Sequence, residues 1–566
     1  MKDENKTEAK PDADQRLVPL RFPFLLHPSS FLLHVAAFLS AGLWYVSFFP
    51  LNFGSVAWVA LVPWVLLLRA EVSAWQRYGA AYVAGCAFYT LALLWVAVAH
   101  EMMRLTWIGL TLYCAAYWPL TVWLVRWLER RGWPLVLSLP TVWIAGEYLR
   151  AHLATGFAWY FVGHTQHEWL ALIQITDVTG VYGVSALVVA VNAVVIEWVW
   201  RAERRGLVRT TLGVAGVLLA VLGYGHYRLA TSAFTPGPRV ALLQGNLDQR
   251  LRNATVKTDA DADRARESMG DHFRKLHAQA LAQVPRPDLV IYPETSYPQF
   301  WTELADGADL GDLHPRHREE IARIPAYFRH KAGSWGTATL LGLDCYVMTT
   351  ATNERRYNSA LLLTATGTVA GRYDKIHRVP FGEYVPFRDW FPWLQQLTPY
   401  EGDYGIAVGE RWTRFPLCVQ GAEYTFGAVI CYEDTNPLLA RQYVTGARPV
   451  DWLVNISNEG WFDGSSEHAA HLAICRFRAI ECRRAVVRAV NLGISAVIDS
   501  NGAIVALPGP TWTDSVKVAT IVSANVPLDT RSSPYAHLGD WLPIGAWIAL
   551  LVMVGRQWRW GGGKRG

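Results

Sequence analysis

Phe426-Gly-Ala-Val-Ile-Cys431-Tyr-Glu-Asp434 is an apolar run that ends on a thiol and turns at once into polar chain. The run reads as a buried strand, and Tyr-Glu-Asp-Thr-Asn-Pro437 then carries turn and helix-start chemistry. A thiol on a sharp strand-to-helix turn shows one side to a substrate and the other to backbone N–H groups, the setting a nucleophile needs. A lone free cysteine is more often a small buried hydrophobe, so its company decides. Leu289-Val-Ile-Tyr-Pro-Glu294 is a second apolar strand, ending in a carboxylate. Gly371-Arg-Tyr-Asp-Lys375-Ile-His-Arg-Val-Pro-Phe-Gly-Glu383 reads as a loop with an isolated lysine and another carboxylate.

Carboxylate, ammonium and thiol together make an acyl-transfer set. Glu294 takes the thiol proton and later returns it to a leaving group. Lys375 lowers the thiol pKa and stabilises the oxyanion of a tetrahedral intermediate. Cys431 attacks a carbonyl and holds the acyl group as a thioester. The bland alternative makes Glu294 and Lys375 exposed charges at a strand end and in a loop. Tyr-Pro-Glu294, Tyr373-Asp-Lys375 and Ile430-Cys431-Tyr-Glu433 resemble, in order and spacing, the three motifs of the nitrilase superfamily.

Composition divides the chain. Only 17% of its 566 residues are charged, 52% are hydrophobic and 27 are Trp, whereas soluble domains carry about 25% charged residues. The deficit is local: residues 31–228 are nearly continuous apolar segments, and 239–530 reads as an ordinary globular domain. A net charge of +5 offers no case for nucleic-acid binding. Seven cysteines without C-x-x-C or Cys/His ligand spacing argue against a zinc site and a disulfide framework, and no metal or cofactor is expected.

A bilayer core needs about 20 apolar helical residues. Candidate spans are 31–49, 55–68, 78–99, 105–128, 134–153, 173–200 and 210–227, with a last one at 541–555; 55–68 is short and suits a re-entrant or tilted piece. Residues 1–30 form a polar tail and lead-in, and 556–566 a basic tail. Arg69 and Arg77, then Arg126, Arg130 and Arg131, then Arg201, Arg204, Arg205 and Arg209 fall in alternate loops, together with Arg556, Arg559, Lys564 and Arg565 of the tail. The positive-inside rule puts that side in the cytoplasm and the 239–530 domain outside it. Glu147 and Arg150, costly inside an apolar segment, read either as an i, i+3 pair or as a route for a lipid headgroup. The aromatic, glycine-rich 154–163 suits a membrane-interface loop.

Strands are expected at 240–245, 289–294, 338–343, 359–364, 425–430, 451–456, 485–490, 494–499 and 517–522. Helices fall between many of them, among them 466–484 with an arginine-rich exposed stripe. Alternating strands and helices imply an α/β layered core; the superfamily resemblance implies an α-β-β-α sandwich. The whole layout, a multi-span α-helical membrane domain of about seven spans plus an extracytoplasmic nitrilase-like domain before one last span, resembles the apolipoprotein N-acyltransferase branch. Thr155-Gly-Phe-Ala-Trp159, Gly180-Val-Tyr-Gly183, Leu243-Gln-Gly-Asn246, Val379-Pro-Phe-Gly-Glu383, Asn458-Glu-Gly-Trp-Phe462 and Arg488-Ala-Val-Asn-Leu-Gly-Ile494 carry that resemblance.

The resemblance implies that an acyl chain moves from a phospholipid to Cys431, then to the amine of a diacylated apolipoprotein, at a bacterial inner membrane. It assigns Glu294 as base, Lys375 as oxyanion stabiliser and Cys431 as nucleophile. Glu383 becomes a second essential carboxylate, and Tyr432 and Glu433 flank the nucleophile, with the Tyr432 N–H as an oxyanion donor. Asn253, Glu459 and Val490 depart from the branch's usual residues and bear on acyl or acceptor preference. Two readings stay open beside this one: a membrane-tethered amidase or nitrilase that uses water, and a non-catalytic membrane scaffold.

Overall fold

The computed structural model describes residues 30–561 except 201–204, 249–257, 310, 312, 314, 351–352 and 399–403. The polar tail up to residue 29, Arg201, Arg204, Asn253 and the tail's Lys564 and Arg565 therefore lie outside the described residues. Among the described residues, four helices are long and apolar enough to cross a membrane: Ser30–Ser47, Met103–Glu129, Val181–Trp200 and Gly206–Ala230. Helices Ala74–Ala92 and Leu135–His152 pack among them, and Trp541–Gly561 follows the second half of the chain.

Two expected spans take other forms. Residues 55–68 give a 3-10 turn, Gly54–Trp58, and a short helix, Trp64–Arg69. Pro63, which has no N–H to give, stands as the N-cap of that helix. The span expected from residue 173 breaks at Gly180, with φ 62°, and the long helix starts at Val181. A Cβ at Gly180 would sit 2.7 Å from the Tyr535 ring, so only glycine allows this turn against the second half.

Among the described residues, the second half is built on thirteen strands: β1 Thr235–Gln244, β2 Leu289–Ile291, β3 Trp301–Leu304, β4 Ala338–Met348, β5 Glu354–Leu363, β6 Val369–Asp374, β7 Arg414–Val419, β8 Ala422–Ile430, β9 Trp452–Ser457, β10 Ala485–Val490, β11 Ala496–Ile498, β12 Ile504–Ala506 and β13 Thr520–Leu528. They form two sheets, β13-β1-β2-β4-β5-β6 with β3 beside β4, and β12-β11-β10-β9-β8-β7. Strand alternation sets the layers. Val240, Leu242, Leu289 and Ile291 face Phe426, Ala428, Ile430 and Val454 across a shared core. Ala241, Leu243 and Val290 face outward onto Phe273, Leu276, Ile324 and Phe328 of helices Asp259–Leu281 and Pro315–Trp335. Helix Glu467–Cys482 covers the other sheet with Leu472, Cys475 and Ala479. The result is the four-layer α-β-β-α order expected above.

Two sequence expectations need correction here. The Gly371–Glu383 stretch is not all loop: β6 runs to Asp374, so Lys375 is the first residue beyond a strand. The arginine stripe of the 466–484 helix is not exposed. Ile474, Phe477 and Ile480 pack into the apolar half of the molecule, and Arg476, Arg478 and Arg483 are buried with them. Arg483 pairs with Asp177 at 2.6 Å and Arg478 with Glu481 at 2.6 Å. The stripe is the seam between the two halves.

Candidate active site

Each sheet delivers its chemistry at the C-terminal ends of its strands. Cys431 follows β8 in a tight turn with φ 52°. That left-handed conformation costs a non-glycine residue on the order of 1 kcal/mol and persists only when its surroundings hold it. Glu433 holds it. Its carboxylate accepts the N–H of Ile430 at 2.6 Å, and from the opposite sheet those of Ile376 at 2.7 Å and His377 at 2.8 Å and the Tyr373 hydroxyl at 2.9 Å. One buried side chain therefore fixes the distance between the thiol turn and the lysine loop. Burial pushes its pKa up to about 7, against the backbone N–H groups that favour its charge.

Glu294 stands just past β2. Gly342 of β4 passes so close that a Cβ there would meet the Pro293 carbonyl oxygen at 2.0 Å. The Glu294 carboxylate accepts from Asn358 Nδ2 at 2.7 Å, from the Asn458 N–H at 2.9 Å and from Lys375 Nζ at 3.1 Å. Lys375 also donates to Glu383 at 2.7 Å, and Glu383 accepts the Val379 N–H at 2.7 Å. Lys375 is only 1% exposed. Burial alone would lower its pKa, but the Glu294 and Glu383 carboxylates outweigh that and hold the ammonium charged.

The thiol behaves differently from the sequence expectation. Lys375 does pull its pKa down, yet burial, then the Glu294 charge, push it up to about 12. Cys431 therefore rests as a thiol, and a thiol that is to act as a nucleophile requires a proton acceptor during the step. Glu294 is the carboxylate whose field the thiol feels most.

Behind the turn lies a second ionic cluster that sequence reasoning missed. Arg488 of β10 reaches Asp434 at 3.2 Å, Asn455 at 2.8 Å and Glu459, and Asn455 Nδ2 donates to the Cys431 carbonyl at 3.1 Å. His471 joins Asp434 at 2.6 Å and Glu459 at 2.7 Å. Burial would lower the His471 pKa; Asp434 and Glu467 raise it well above the ordinary value. The ligand atoms of Glu459, Glu467 and His471 lie within 4.8 Å of one another, a spacing that a metal could use, but here Arg488 and charged His471 already occupy the carboxylates. Glu459 thus does structural work, and Val490 is buried at the end of β10.

The apolar half reaches into the site. Trp159 stacks on Tyr432 at 6.4 Å, and His377 stacks on the same ring at 5.5 Å. Glu147 and Arg150 secure this loop rather than forming an ion pair with each other. Glu147 accepts the Val162 N–H at 2.8 Å, while Arg150 donates to the carbonyls of Phe157, Trp159 and Tyr160.

Comparison with known proteins follows the two halves. Residues 40–194 match the family described as apolipoprotein N-acyltransferase N-terminal domain, and residues 239–528 match carbon-nitrogen hydrolase. An apolipoprotein N-acyltransferase of Geobacter metallireducens is 31% identical over 91% of this chain and 93% of its own. One of Rhodopseudomonas palustris is 30% identical over 83% and 84%. Among solved structures, a carbon-nitrogen hydrolase from Helicobacter pylori aligns with 51% of this chain and 88% of its own, at 17% identity and a TM-score of 0.34.

Proposed function

Because the chain belongs to the apolipoprotein N-acyltransferase family, we propose that Cys431 carries an acyl group from a phospholipid to the N-terminal amine of a lipid-bearing apolipoprotein. The single observation that supports it best is the Lys375 ammonium clamped between Glu294 and Glu383 beside a thiol on a strained turn. Glu294 takes the Cys431 proton as sulfur bonds to the ester carbonyl carbon. Lys375 and the Tyr432 N–H stabilise the oxygen that becomes negative. Collapse breaks the ester bond, and the departing glycerol oxygen takes the proton from Glu294. The acceptor amine then attacks the thioester, Glu294 takes its proton, and the sulfur leaves to recover that proton. Glu383 and Glu433 position the lysine loop in both halves of the cycle.

Both substrates are lipid-anchored, so the site must stay at a membrane surface. We place residues 31–228 and 541–555 in the bilayer as a multi-pass anchor, with 239–530 on the extracytoplasmic side. The arginine loops support that orientation, and the exposed Leu212, Val217 and Leu219 on the helix at Arg205–Ala230 support its placement in lipid. A membrane-impermeant maleimide should label the exposed Cys418 in intact cells, and labelling only after lysis would reverse the orientation. Activity is tested with phospholipid micelles and a diacylglyceryl-cysteine peptide bearing a free amine. Amide product is expected; free fatty acid alone would favour a hydrolase.

A further inference from the structure

Next to the catalytic lysine lies a cavity of about 600 Å³, whose lining includes Arg355, Arg356, Arg378, Arg388, Tyr384 and Trp390. Its floor is bonded to the catalytic loop. The N–H of Ile406 donates to the Glu383 carbonyl at 3.0 Å, that of Gly409 to the Lys375 carbonyl at 2.9 Å, and that of Ala407 to the Arg356 carbonyl at 2.7 Å. A ligand seated here is therefore held in fixed register with Lys375.

The charge in the cavity is one-sided. Four guanidinium groups face two carboxylates, Glu354 and Asp389. Among the described residues, Arg355, Arg356 and Arg378 have no carboxylate at ion-pair distance. Arg378 is oriented by one bond to the Ile406 carbonyl at 2.7 Å and by the Tyr384 ring 4.2 Å below its guanidinium carbon. Arg356 donates to the Tyr404 carbonyl at 3.2 Å, while its Nε is buried without a partner. The half-buried Arg356 and Arg378 forks, with the exposed Arg355 beside them, are suited to a tetrahedral oxyanion that accepts several N–H bonds at once.

The position selects the source of that anion. Trp390 on the rim is 76% exposed, and Phe387 and Phe391 are exposed beside it, a composition found where protein meets headgroups. The 3-10 helix Pro392–Leu397 that continues this rim touches helix Met103–Ala115 of the apolar half. The Tyr384 hydroxyl meets the Thr155 side chain of the same half. We propose that this cavity binds the phosphate of the donor phospholipid's headgroup and thereby sets its ester at Cys431. The proposal rests on the reading of Cys431 as acceptor of a phospholipid acyl chain.

The test is single-turnover acylation of the full-length protein in detergent, followed by intact mass. One donor is dioleoyl phosphatidylethanolamine in mixed micelles; the other is p-nitrophenyl octanoate, an ester without phosphate. Arg356→Gln and Arg378→Gln should each raise the half-saturating phospholipid concentration about 10- to 100-fold, the range of a charge-assisted hydrogen bond, relative to any change with the p-nitrophenyl ester. Arg378→Lys should recover part of the loss. Equal losses with both donors, or parental saturation by phospholipid, would overturn the cavity's role. Inhibition of the parent by inorganic phosphate as strong as competition by the phospholipid would also overturn it, by assigning the cavity to a free anion. A parent that takes the octanoyl group but never the phospholipid's acyl chain would instead remove the donor reading itself.

Discussion

Two buried ionic clusters flank Cys431, and they meet it in different ways. In front, Glu294 and Glu383 share the single ammonium of Lys375. Behind, Asp434, Glu459 and Glu467 are met by Arg488 and by His471 in its charged form. The front cluster sets a carboxylate and an ammonium beside a thiol that still holds its proton, so it can move that proton. The rear cluster, two cations among three carboxylates, bonds the Cys431 carbonyl through Asn455; it shapes the turn. Charged groups lie buried on both sides, and what they touch, the thiol in front and the backbone of the turn behind, separates chemistry from scaffold.

That contrast can be broken at several points. Cys431→Ser should lose the acyl adduct and transfer entirely, because a serine hydroxyl in this turn lacks the thiol's nucleophilicity; an adduct of parental yield elsewhere on the variant would remove Cys431 from the mechanism. Lys375→Met should slow acyl loading by about 10²–10³, the cost of one lost oxyanion donor, as read in stopped time courses at saturating donor. Arg488→Met should act on the fold instead. It leaves Asp434 and Glu459 short of a buried partner, a loss of about 3–5 kcal/mol, seen as a lower denaturation midpoint, while the rate per folded molecule changes far less than for Lys375→Met.

A smaller effect sharpens the same contrast through pH. The folded His471 pKa is raised, so its contribution is complete below the unfolded imidazole value of about 6.5 and fades as pH climbs through the folded value. The folded Asp434 pKa is lowered by His471 and Arg488 against the upward push of burial, so its contribution is present above about 3.9 and fades in acid. The midpoint should therefore plateau between about pH 4 and 6.5 and fall on the alkaline side. His471→Asn should flatten that alkaline fall, and an unchanged profile would show that His471 is neutral in the fold.

The front cluster was legible in the sequence, because Glu294 and Cys431 each end an apolar run, while Lys375 and Glu383 stand out as an isolated lysine and a carboxylate in one short stretch. Glu294, Lys375 and Glu383 lie together beside Cys431, although β6 reads as loop because its Val369-Ala-Gly-Arg-Tyr-Asp374 is too polar to announce a strand. The rear cluster was not legible. Arg488 lies within an apolar strand, where alternation alone suggests an outward-facing charge, and its partners come from β9 and the turns after β8 and β9, far away in sequence. The arginines of the 466–484 helix misled for the same reason: periodicity marks a polar face but not what covers it. Glu147 and Arg150 looked like a pair at i, i+3, whereas the orphaned N–H and carbonyl groups of the 157–162 loop are their partners.

The measurement closest to the central claim is intact mass after a single turnover on phospholipid, with Glu294→Gln and Arg488→Met run side by side against the parent. Glutamine keeps the shape of Glu294 but cannot accept the thiol proton, so that variant should stay folded with Cys431 unloaded, a loss of about 10²–10⁴ for one acid–base group. Its rear-cluster counterpart should load at a rate close to the parent's for the fraction that is folded. Parental loading by Glu294→Gln, or equal failure of both folded variants, would contradict the division of labour between the two clusters.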